Sequence, residues 1–375
     1  MGSPLMPGEK LLRLRWLFVL VVATIALAGY AMLYSAAGGH HAPWAWRHAL
    51  RFAVATVLML AIALTDIRVF YRLAYPLYAA AVAGLVAVEF LGEIGKGAQR
   101  WLDLGFVQLQ PSEIMKVALV LALARVFHGK ELADLGNPLS LVVPLGLVLV
   151  PVVLVLWQPD LGTAVMLLAA SGTVFFAAGV RWWKFALLIG GALAALPVLW
   201  GQMHDYQRQR VLTFLDPETD PLGAGYHIIQ SKIALGSGGL WGKGFMNGSQ
   251  SQLNFLPEKQ TDFVFTMLAE ELGLVGALAV LALCLIVVAY GLSFAMHARS
   301  QFARLLALGM ACTFGLYVMI NVAMVTGLIP VVGVPLPLIS YGGTAMLTAM
   351  VGFGLLLSAD IHRDVTIPLF ADDVG

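Results

Sequence analysis

The sequence predicts an all-α polytopic membrane protein, and its composition, hydropathy and charge placement each support this fold class. Hydrophobic residues make up 60% of the 375-residue chain and charged residues 11%, whereas soluble domains carry roughly 25% charged residues. About ten apolar segments approach or exceed the roughly 20 residues that a helix needs to cross a bilayer. We therefore expect a single integral membrane domain over residues 1–375, with one long hydrophilic loop at 201–262.

The apolar segments define the expected transmembrane spans in chain order. The first is too long for a removable signal peptide and lacks an A-x-A cleavage site, so we interpret it as an anchor. The fourth and sixth are short, which leaves counts of nine to eleven open. The predicted spans are 16–34, 49–65, 73–91, 111–127, 139–157, 162–179, 182–200, 263–290, 302–326 and 341–359.

Basic residues indicate the orientation of the chain in the membrane. Ten crossings place both termini on one side, and the positive-inside rule makes that side cytoplasmic. The short loops 158–161 and 327–340 contain neither Lys nor Arg. These loops, and the long loop 201–262 with them, are therefore expected to face outward.

Several function classes find no support in the composition. A net charge of +1 gives no nucleic-acid signature, and no phosphate-cradling Gly-x-x-x-x-Gly-Lys-Ser/Thr motif occurs. Cys284 and Cys312 fall inside predicted spans and are interpreted as buried thiols. No internal repeat typical of secondary transporters is visible.

Asp262 lies where the hydrophilic loop meets the apolar run that begins at Phe263, three residues after Lys259. Ions are costly near lipid, so an acid in this position is a functional candidate. The alternative is a helix N-cap, because Thr261 or Asp262 could accept hydrogen bonds from the first N–H groups of the next helix. Position alone does not separate the two interpretations.

A second polar group surrounds the predicted start of the fourth span. Pro111 suits the first helical position, and Ser112 and Glu113 suit the first turn. Glu113 and Lys116 are three residues apart and share a helix face. They are interpreted either as a structural ion pair or, for Lys116 and for Arg100 in the preceding segment, as contacts to a substrate phosphate.

Asp160 lies in a tight turn between the fifth and sixth predicted spans. Its spacing favours an N-cap of the sixth span. As a second outward carboxylate, it is also a candidate to orient a base or to bind a cation. The sequence gives no distance between Asp160 and Asp262.

The long loop and the last outer loop carry further patterns. Residues 226–235 have helix-like apolar spacing, which predicts an amphipathic element lying on the membrane. The glycine-rich stretch 236–244 fits either a phosphate cradle or a turn between short helices. The apolar, proline-containing loop 327–340 predicts a re-entrant or interfacial segment packed on protein. Beside the polar segments, it would form a cleft suited to an amphiphile.

Six motifs in one order closely resemble the SEDS family, the shape, elongation, division and sporulation proteins of bacteria. The matches extend from about residue 96 to residue 344. Residues 96–105 and the short N-terminal tail resemble the RodA elongation branch more than the FtsW division branch. The motifs are Gly97-Ala98-Gln99-Arg100-Trp101, Gln110-Pro111-Ser112-Glu113, Gln158-Pro159-Asp160-Leu161-Gly162-Thr163, Gln209-Arg210, Gln260-Thr261-Asp262-Phe263 and Pro337-Leu338-Ile339-Ser340-Tyr341-Gly342-Gly343.

The resemblance implies a peptidoglycan glycosyltransferase that polymerises lipid II, with undecaprenyl pyrophosphate as the leaving group. It also implies that the acid matching Asp262 is the essential catalytic residue. The implied partners are a class B penicillin-binding protein that cross-links the product, other elongation-complex proteins and the membrane, with no nucleic acid. The implied location is the bacterial cytoplasmic membrane, with the active site on its periplasmic face.

These inferences define a mechanistic hypothesis. Asp262 is expected to act as general base on the acceptor 4-hydroxyl during an inverting transfer. The departing pyrophosphate needs stabilisation rather than protonation. Basic candidates for that role are Arg100, Lys116, Arg210 and Lys259, and further substrate-binding candidates are Gln110, Ser112, Glu113 and Asp160.

A divalent cation, Mg²⁺ or Mn²⁺, is a candidate cofactor with Asp160 and Asp262 as candidate ligands. No organic cofactor is indicated. The principal alternative function is a flippase for the same lipid-linked precursor, which would need ionisable residues on both sides of the membrane and along a path between them. A third class, a scaffold for a cell-wall complex, predicts tolerance of substitution at Asp262.

Overall fold

The computed structural model describes residues 7–95, 98–103, 108–131, 133–202, 205–217, 224–253, 255–256 and 258–367. Helices dominate this part of the chain. In chain order they are α1 (Pro7–Arg13), α2 (Trp16–Ala36), α3 (Ala45–Leu64), α4 (Ile67–Leu91), α5 (Pro111–His128), α6 (Val142–Trp157), α7 (Leu161–Ala178), α8 (Trp182–Gln202), α9 (Asp205–Leu215), α10 (Ala224–Ser237), α11 (Ser249–Gln252), α12 (Val264–His297), α13 (Gln301–Val325) and α14 (Gly343–Ile361), with short 3-10 turns at Asp134–Gly136 and Pro138–Leu141.

Each of the ten predicted spans coincides with a helix, from α2 to α8 and from α12 to α14. Within the described residues, eight helical segments are long and apolar enough to cross a membrane. Of the other two helices, α5 carries three charged residues in its 18 positions, and α8 contributes a shorter apolar stretch over Trp182–Ala195. The chain is therefore a multi-pass membrane protein.

The helix ends differ from the hydropathy boundaries because polar residues continue several helices. Helix α4 begins at Ile67, six residues before its predicted start, since Arg68, Tyr71 and Arg72 lower the hydropathy without breaking the helix. Helix α12 continues to His297 and contains a break at Gly273, where φ is 68° and ψ is −169°.

The predicted all-α fold class is confirmed, and a small antiparallel sheet joins α4 to α5 within it. Its strands are β1 (Glu93–Gly95), β2 (Ala98–Asp103) and β3 (Gln108–Leu109), in the order β1-β2-β3. Leu102 pairs with Leu109, and Asp103 pairs with Gln108. Strands of two to six residues are too short to show an alternating pattern clearly, so hydropathy did not predict them.

The centre of the bundle is formed by α5, α13 and α14. In α14 and α13, 83% and 61% of the span is buried, compared with 22% in α3 and α4. Helix α14 packs on α3 and α13, while α13 also packs on α5, α7 and α12. The polar residues at the ends of these central helices are therefore brought together at one end of the bundle.

The long hydrophilic loop is largely helical where it is described. The predicted amphipathic element is confirmed as a helix, α10, which packs against α12. Ile228 and Ala234 are buried, whereas Ile233 is 46% exposed. One face of α10 is thus covered by protein, and the other is open.

Candidate active site

A cavity of about 690 Å³ lies at the end of the bundle that the basic residues predict to face outward. It is bounded by the starts of α5, α7, α12 and α14, by the C-terminal part of α13 and by strands β2 and β3. One wall is formed by the apolar residues 331–335. The polar lining residues are Arg100, Gln108, Gln110, Glu113, Lys116, Asp160, Thr163, His227, Glu258, Thr261, Asp262, Tyr317, Tyr341 and Thr344.

Asp262 lies in the turn that leads into α12 and lines the cavity. The N-cap of α12 falls on Phe263, which makes no side-chain capping bond, so neither Thr261 nor Asp262 occupies the predicted cap position. Asn321 of α13 holds this turn by donating from Nδ2 to the Asp262 carbonyl at 3.0 Å and to the Val334 carbonyl at 2.7 Å. The same side chain thereby ties the Asp262 turn to the apolar wall.

The loop before α14 provides a second attachment. Ser340 Oγ donates to the Thr261 carbonyl at 2.6 Å, and the Tyr341 N–H donates to the Gln260 carbonyl at 2.7 Å. These bonds pair the 260–262 turn with the loop 327–340, which is packed on protein as predicted. The backbone that carries Asp262 is therefore fixed on the cavity side.

Gly333 lies beside the Asp262 carboxylate. Its φ of 69° is in the left-handed region, and a Cβ at this position would lie 3.7 Å from Asp262 Oδ2. Any larger side chain would occupy the space next to the carboxylate. Glycine thus leaves room for a substrate group there.

Glu113, Lys116 and Tyr317 form a buried cluster that lines the cavity. Lys116 Nζ lies 2.6 Å from Glu113 Oε1 and also donates to the Tyr317 hydroxyl, while that hydroxyl donates to Glu113 Oε2 at 2.5 Å. The interpretation of Glu113 and Lys116 as an ion pair is thus confirmed. Because the pair also faces the cavity, this contact does not exclude a substrate role for Lys116.

Arg100 and Asp160 also line the cavity and lie close to each other. Asp160 caps α7, with Oδ1 accepting from the Thr163 N–H at 3.1 Å and Oδ2 from Thr163 Oγ1 at 2.9 Å, which confirms the predicted N-cap. Arg100 donates to the carbonyls of Gln158 and Pro159, and its Nε lies 4.0 Å from Asp160 Oδ2. Strand β2 and the α6–α7 turn therefore hold the guanidinium in place.

The donor set around Asp160 does not fit a bound divalent cation. Both carboxylate oxygens already accept hydrogen bonds from Thr163, and a guanidinium lies beside them. In the part of the chain that the structure describes, no group of three or more His, Cys, Asp or Glu residues is placed to hold a metal ion. Mg²⁺ and Mn²⁺ usually take several oxygen ligands.

The structure separates the remaining predicted site residues. Gln110 lines the cavity, whereas Ser112 and Lys259 are buried and are not among its lining residues. Lys259 Nζ donates to the Ser251 carbonyl at 2.7 Å, within the long loop. Burial lowers the pKa of Lys259, and the nearby Glu271 opposes this shift. The side chain of Arg210 lies outside the described residues.

Two residues that shape the site were not identified from the sequence. Tyr317 and Asn321 are four residues apart on α13 and are both buried. Two polar side chains at this spacing share one helix face, and inside an apolar span that pattern is a signal for a polar site. The glycine-rich stretch 236–244, interpreted as a phosphate cradle or a turn, contributes no lining residue to the cavity.

Comparisons with known proteins agree with this geometry. The family described as FtsW/RodA/SpoVE cell cycle proteins matches residues 11–365. Peptidoglycan glycosyltransferase MrdB of Escherichia coli K12 is 46% identical over 348 residues, covering 92% of this chain and 93% of that protein. A probable peptidoglycan glycosyltransferase FtsW of Trichlorobacter lovleyi is 37% identical over 353 residues, covering 91% of each chain.

Solved structures show the same architecture. A structure described as showing the coordination of polymerization and crosslinking by a peptidoglycan synthase complex matches with a TM-score of 0.82 and 34% identity, over 93% of this chain and 98% of that one. The rod shape determining protein RodA of Thermus thermophilus matches with a TM-score of 0.71 and 30% identity, over 94% and 98%. The chain therefore belongs to the SEDS family of FtsW/RodA/SpoVE proteins and is most similar to its RodA branch.

Proposed function

We propose that Asp262 is the general base of a peptidoglycan polymerase that joins lipid II units during cell elongation. The observation that carries this proposal is the position of Asp262 in one cavity with Arg100 and Lys116, beside an apolar wall. A carboxylate, cationic groups and an apolar surface match, respectively, a sugar hydroxyl, a pyrophosphate and a lipid chain. The chain has the same enzyme class as its relatives and is a peptidoglycan glycosyltransferase.

The reaction requires one proton acceptor on the acceptor side. The Asp262 carboxylate takes the proton of the acceptor 4-hydroxyl as that oxygen forms a bond to the donor anomeric carbon. The bond between this carbon and the pyrophosphate oxygen breaks with inversion, and the electron pair leaves with undecaprenyl pyrophosphate. General-base assistance of this kind contributes about 10²- to 10⁴-fold to a rate.

Arg100 is the better placed of the cations to stabilise the leaving group. Two of its nitrogens are fixed by backbone carbonyls, and a guanidinium has five N–H donors in a planar fork. The remaining donors suit pyrophosphate oxygens. Lys116 is 2% exposed and balanced by Glu113, so its positive field at the cavity is smaller. No step in this scheme passes through a metal ion.

The proposal also concerns location and partners. The cavity lies at the end of the bundle that the basic residues predict to face outward, which supports chemistry on the periplasmic face of the bacterial cytoplasmic membrane. A matched structure is of a peptidoglycan synthase complex that couples polymerization to crosslinking. This supports a class B penicillin-binding protein as partner, together with other elongation-complex proteins.

Substitution of Asp262 tests the proposal. Purified Asp262→Asn and Asp262→Ala proteins should fold but polymerise lipid II at least about 100-fold more slowly than the wild type. Asp216→Asn is the matched control, since Asp216 is an exposed aspartate in the same long loop, and it should keep wild-type activity. Polymerisation by Asp262→Asn at the control rate would remove Asp262 from the mechanism.

A further inference from the structure

Helix α12 is broken at Gly273, eleven residues after Asp262 in the chain, and the loop 239–244 supplies hydrogen-bond partners at the break. The interruption at Gly273 leaves backbone groups on both sides without helical partners. The N–H groups of Lys243 and Gly244 donate to the carbonyls of Glu270 and Glu271, each at 3.0 Å. On the other side, the N–H groups of residues 274 and 275 donate to the carbonyls of residues 239 and 240, at 2.9 and 3.1 Å.

Only glycine permits this contact. A Cβ on Gly242, which has φ of 80°, would lie 2.1 Å from the Glu271 carbonyl oxygen. A Cβ on Gly273 would lie 2.3 Å from the Gly242 nitrogen. The glycine-rich stretch therefore serves as a backbone partner for α12 on both sides of the break at Gly273, rather than as a cradle for phosphate.

The side chain of Glu270 anchors the next part of the same loop. It is fully buried and lies 2.8 Å from Lys243 Nζ. It also accepts hydrogen bonds from the Gln250 N–H at 2.9 Å, the Ser251 N–H at 3.3 Å and Ser249 Oγ at 3.2 Å. One carboxylate thus fixes both ends of the segment 243–251.

Glu271 also holds the loop by hydrogen bonds, and it connects the loop to α2. It is also fully buried, and it accepts from Ser35 Oγ of α2 at 2.5 Å and from the Met246 N–H at 3.0 Å. Gln252 donates to the Ser35 carbonyl at 3.1 Å. The loop is thereby attached to α2 as well as to α12.

Lys259 connects this network to Asp262. Its ammonium donates to the Ser251 carbonyl, and it precedes Asp262 by three residues. On the cavity side the turn is already held by Asn321 and Ser340. Neither Glu270 nor Glu271 is among the described residues that line the cavity, and their hydrogen bonds to the loop connect them to this turn.

We propose that Glu270 and Glu271 are positioning residues that hold the Asp262 turn through the loop segment 243–253 and through Lys259. The inference rests on the proposed role of Asp262 and assigns the two glutamates no contact with substrate. Removal of either carboxylate removes the hydrogen bonds that hold the loop against α12. Asp262 then samples positions away from the acceptor hydroxyl. A displacement of about 1 Å is enough to lower a rate by about 100-fold.

The test combines hydrogen exchange with turnover in the full-length protein. In Glu270→Gln, amides of residues 258–263 should exchange about 10-fold faster while those of α13 keep their protection. The kcat for polymerisation should fall by about 10- to 100-fold, with a KM for lipid II that changes less than about twofold. Glu89→Gln, at an exposed glutamate of α4, is the matched control and should change neither quantity.

Lys243 provides a milder substitution, because its side chain is 28% exposed. Lys243→Met should reproduce the kcat defect, and Lys243→Arg, which keeps the charge, should restore activity. Unchanged exchange at 258–263 in both Glu270→Gln and Lys243→Met would overturn the positioning role. So would a loss of activity that only follows the folded fraction. Because exchange is measured without turnover, it remains informative even if Asp262 is not the base.

Discussion

Two clusters of buried charge lie near Asp262, and they are built from different partners. The cluster of Glu113, Lys116 and Tyr317 lines the cavity and consists of side chains that bond one another. Glu270 and Glu271 receive hydrogen bonds from loop amides as well as from side chains, and they lie outside the described cavity lining. The charges of the first cluster lie at the cavity surface, where a substrate can contact them. A charge held by backbone amides fixes the loop that supplies them.

The largest effect should come from breaking the cavity cluster on one side only. Lys116→Met leaves the Glu113 carboxylate buried without its counter-charge, which should lower the free energy of unfolding by about 3–5 kcal/mol. The double variant Glu113→Gln/Lys116→Met should regain most of that stability. Denaturation and polymerisation assays on the same preparations would measure both effects.

The double variant also separates structure from function. If Lys116 contacts the substrate, the stabilised double variant should still use lipid II poorly. Recovery of both stability and activity would show that the pair is only structural. The proposed functional difference between the two clusters would then be contradicted.

Gly242 lies against the break in α12 at Gly273. Gly242→Ala introduces a Cβ against the Glu271 carbonyl at a positive φ, which should destabilise the protein by about 2–3 kcal/mol. Gly236→Ala is the matched control, since it lies in α10 and a Cβ there meets nothing within 4 Å. Its free energy of unfolding should stay unchanged or rise by up to about 1 kcal/mol. Equal effects in the two variants would contradict the proposed backbone pairing.

The sequence predicted the helices better than the contacts between distant segments. All ten apolar segments are helices because about 20 consecutive apolar residues suffice to indicate a span. The N-cap at Asp160 was predicted because capping depends on local spacing. The short strands β1 to β3 were missed because their pairing depends on neighbours rather than on pattern.

Lys259 shows why the site could be predicted only in part. It is three residues from Asp262, yet its ammonium bonds to Ser251 rather than lining the cavity. The backbone turns at Glu258, which has φ of 53°, and a turn of this kind changes which side chains face the same way. Proximity in sequence therefore did not bring Lys259 into the cavity lining, whereas Tyr317 reaches the cavity from about 55 residues further along the chain.

The smallest expected effect is a pH dependence of stability from Lys259. Burial lowers its pKa from the ordinary 10.5, so the unfolded chain binds more protons between the lowered value and 10.5. The free energy of unfolding should therefore rise with pH across that window. Denaturant titrations at alkaline pH should show this rise in the wild type and in Lys232→Met, at an exposed lysine of α10. They should show less of it in Lys259→Met, and the same slope in all three proteins would contradict the assignment.

The most direct test of the central claim uses lipid vesicles that carry lipid II only in the leaflet on the cavity side of the protein. The wild type should form glycan polymer without any prior movement of lipid II across the bilayer, and Asp262→Asn should form none. Movement of lipid II without polymer, or polymer formation by Asp262→Asn at the wild-type rate, would contradict the assignment of Asp262 as the base of a glycosyl transfer.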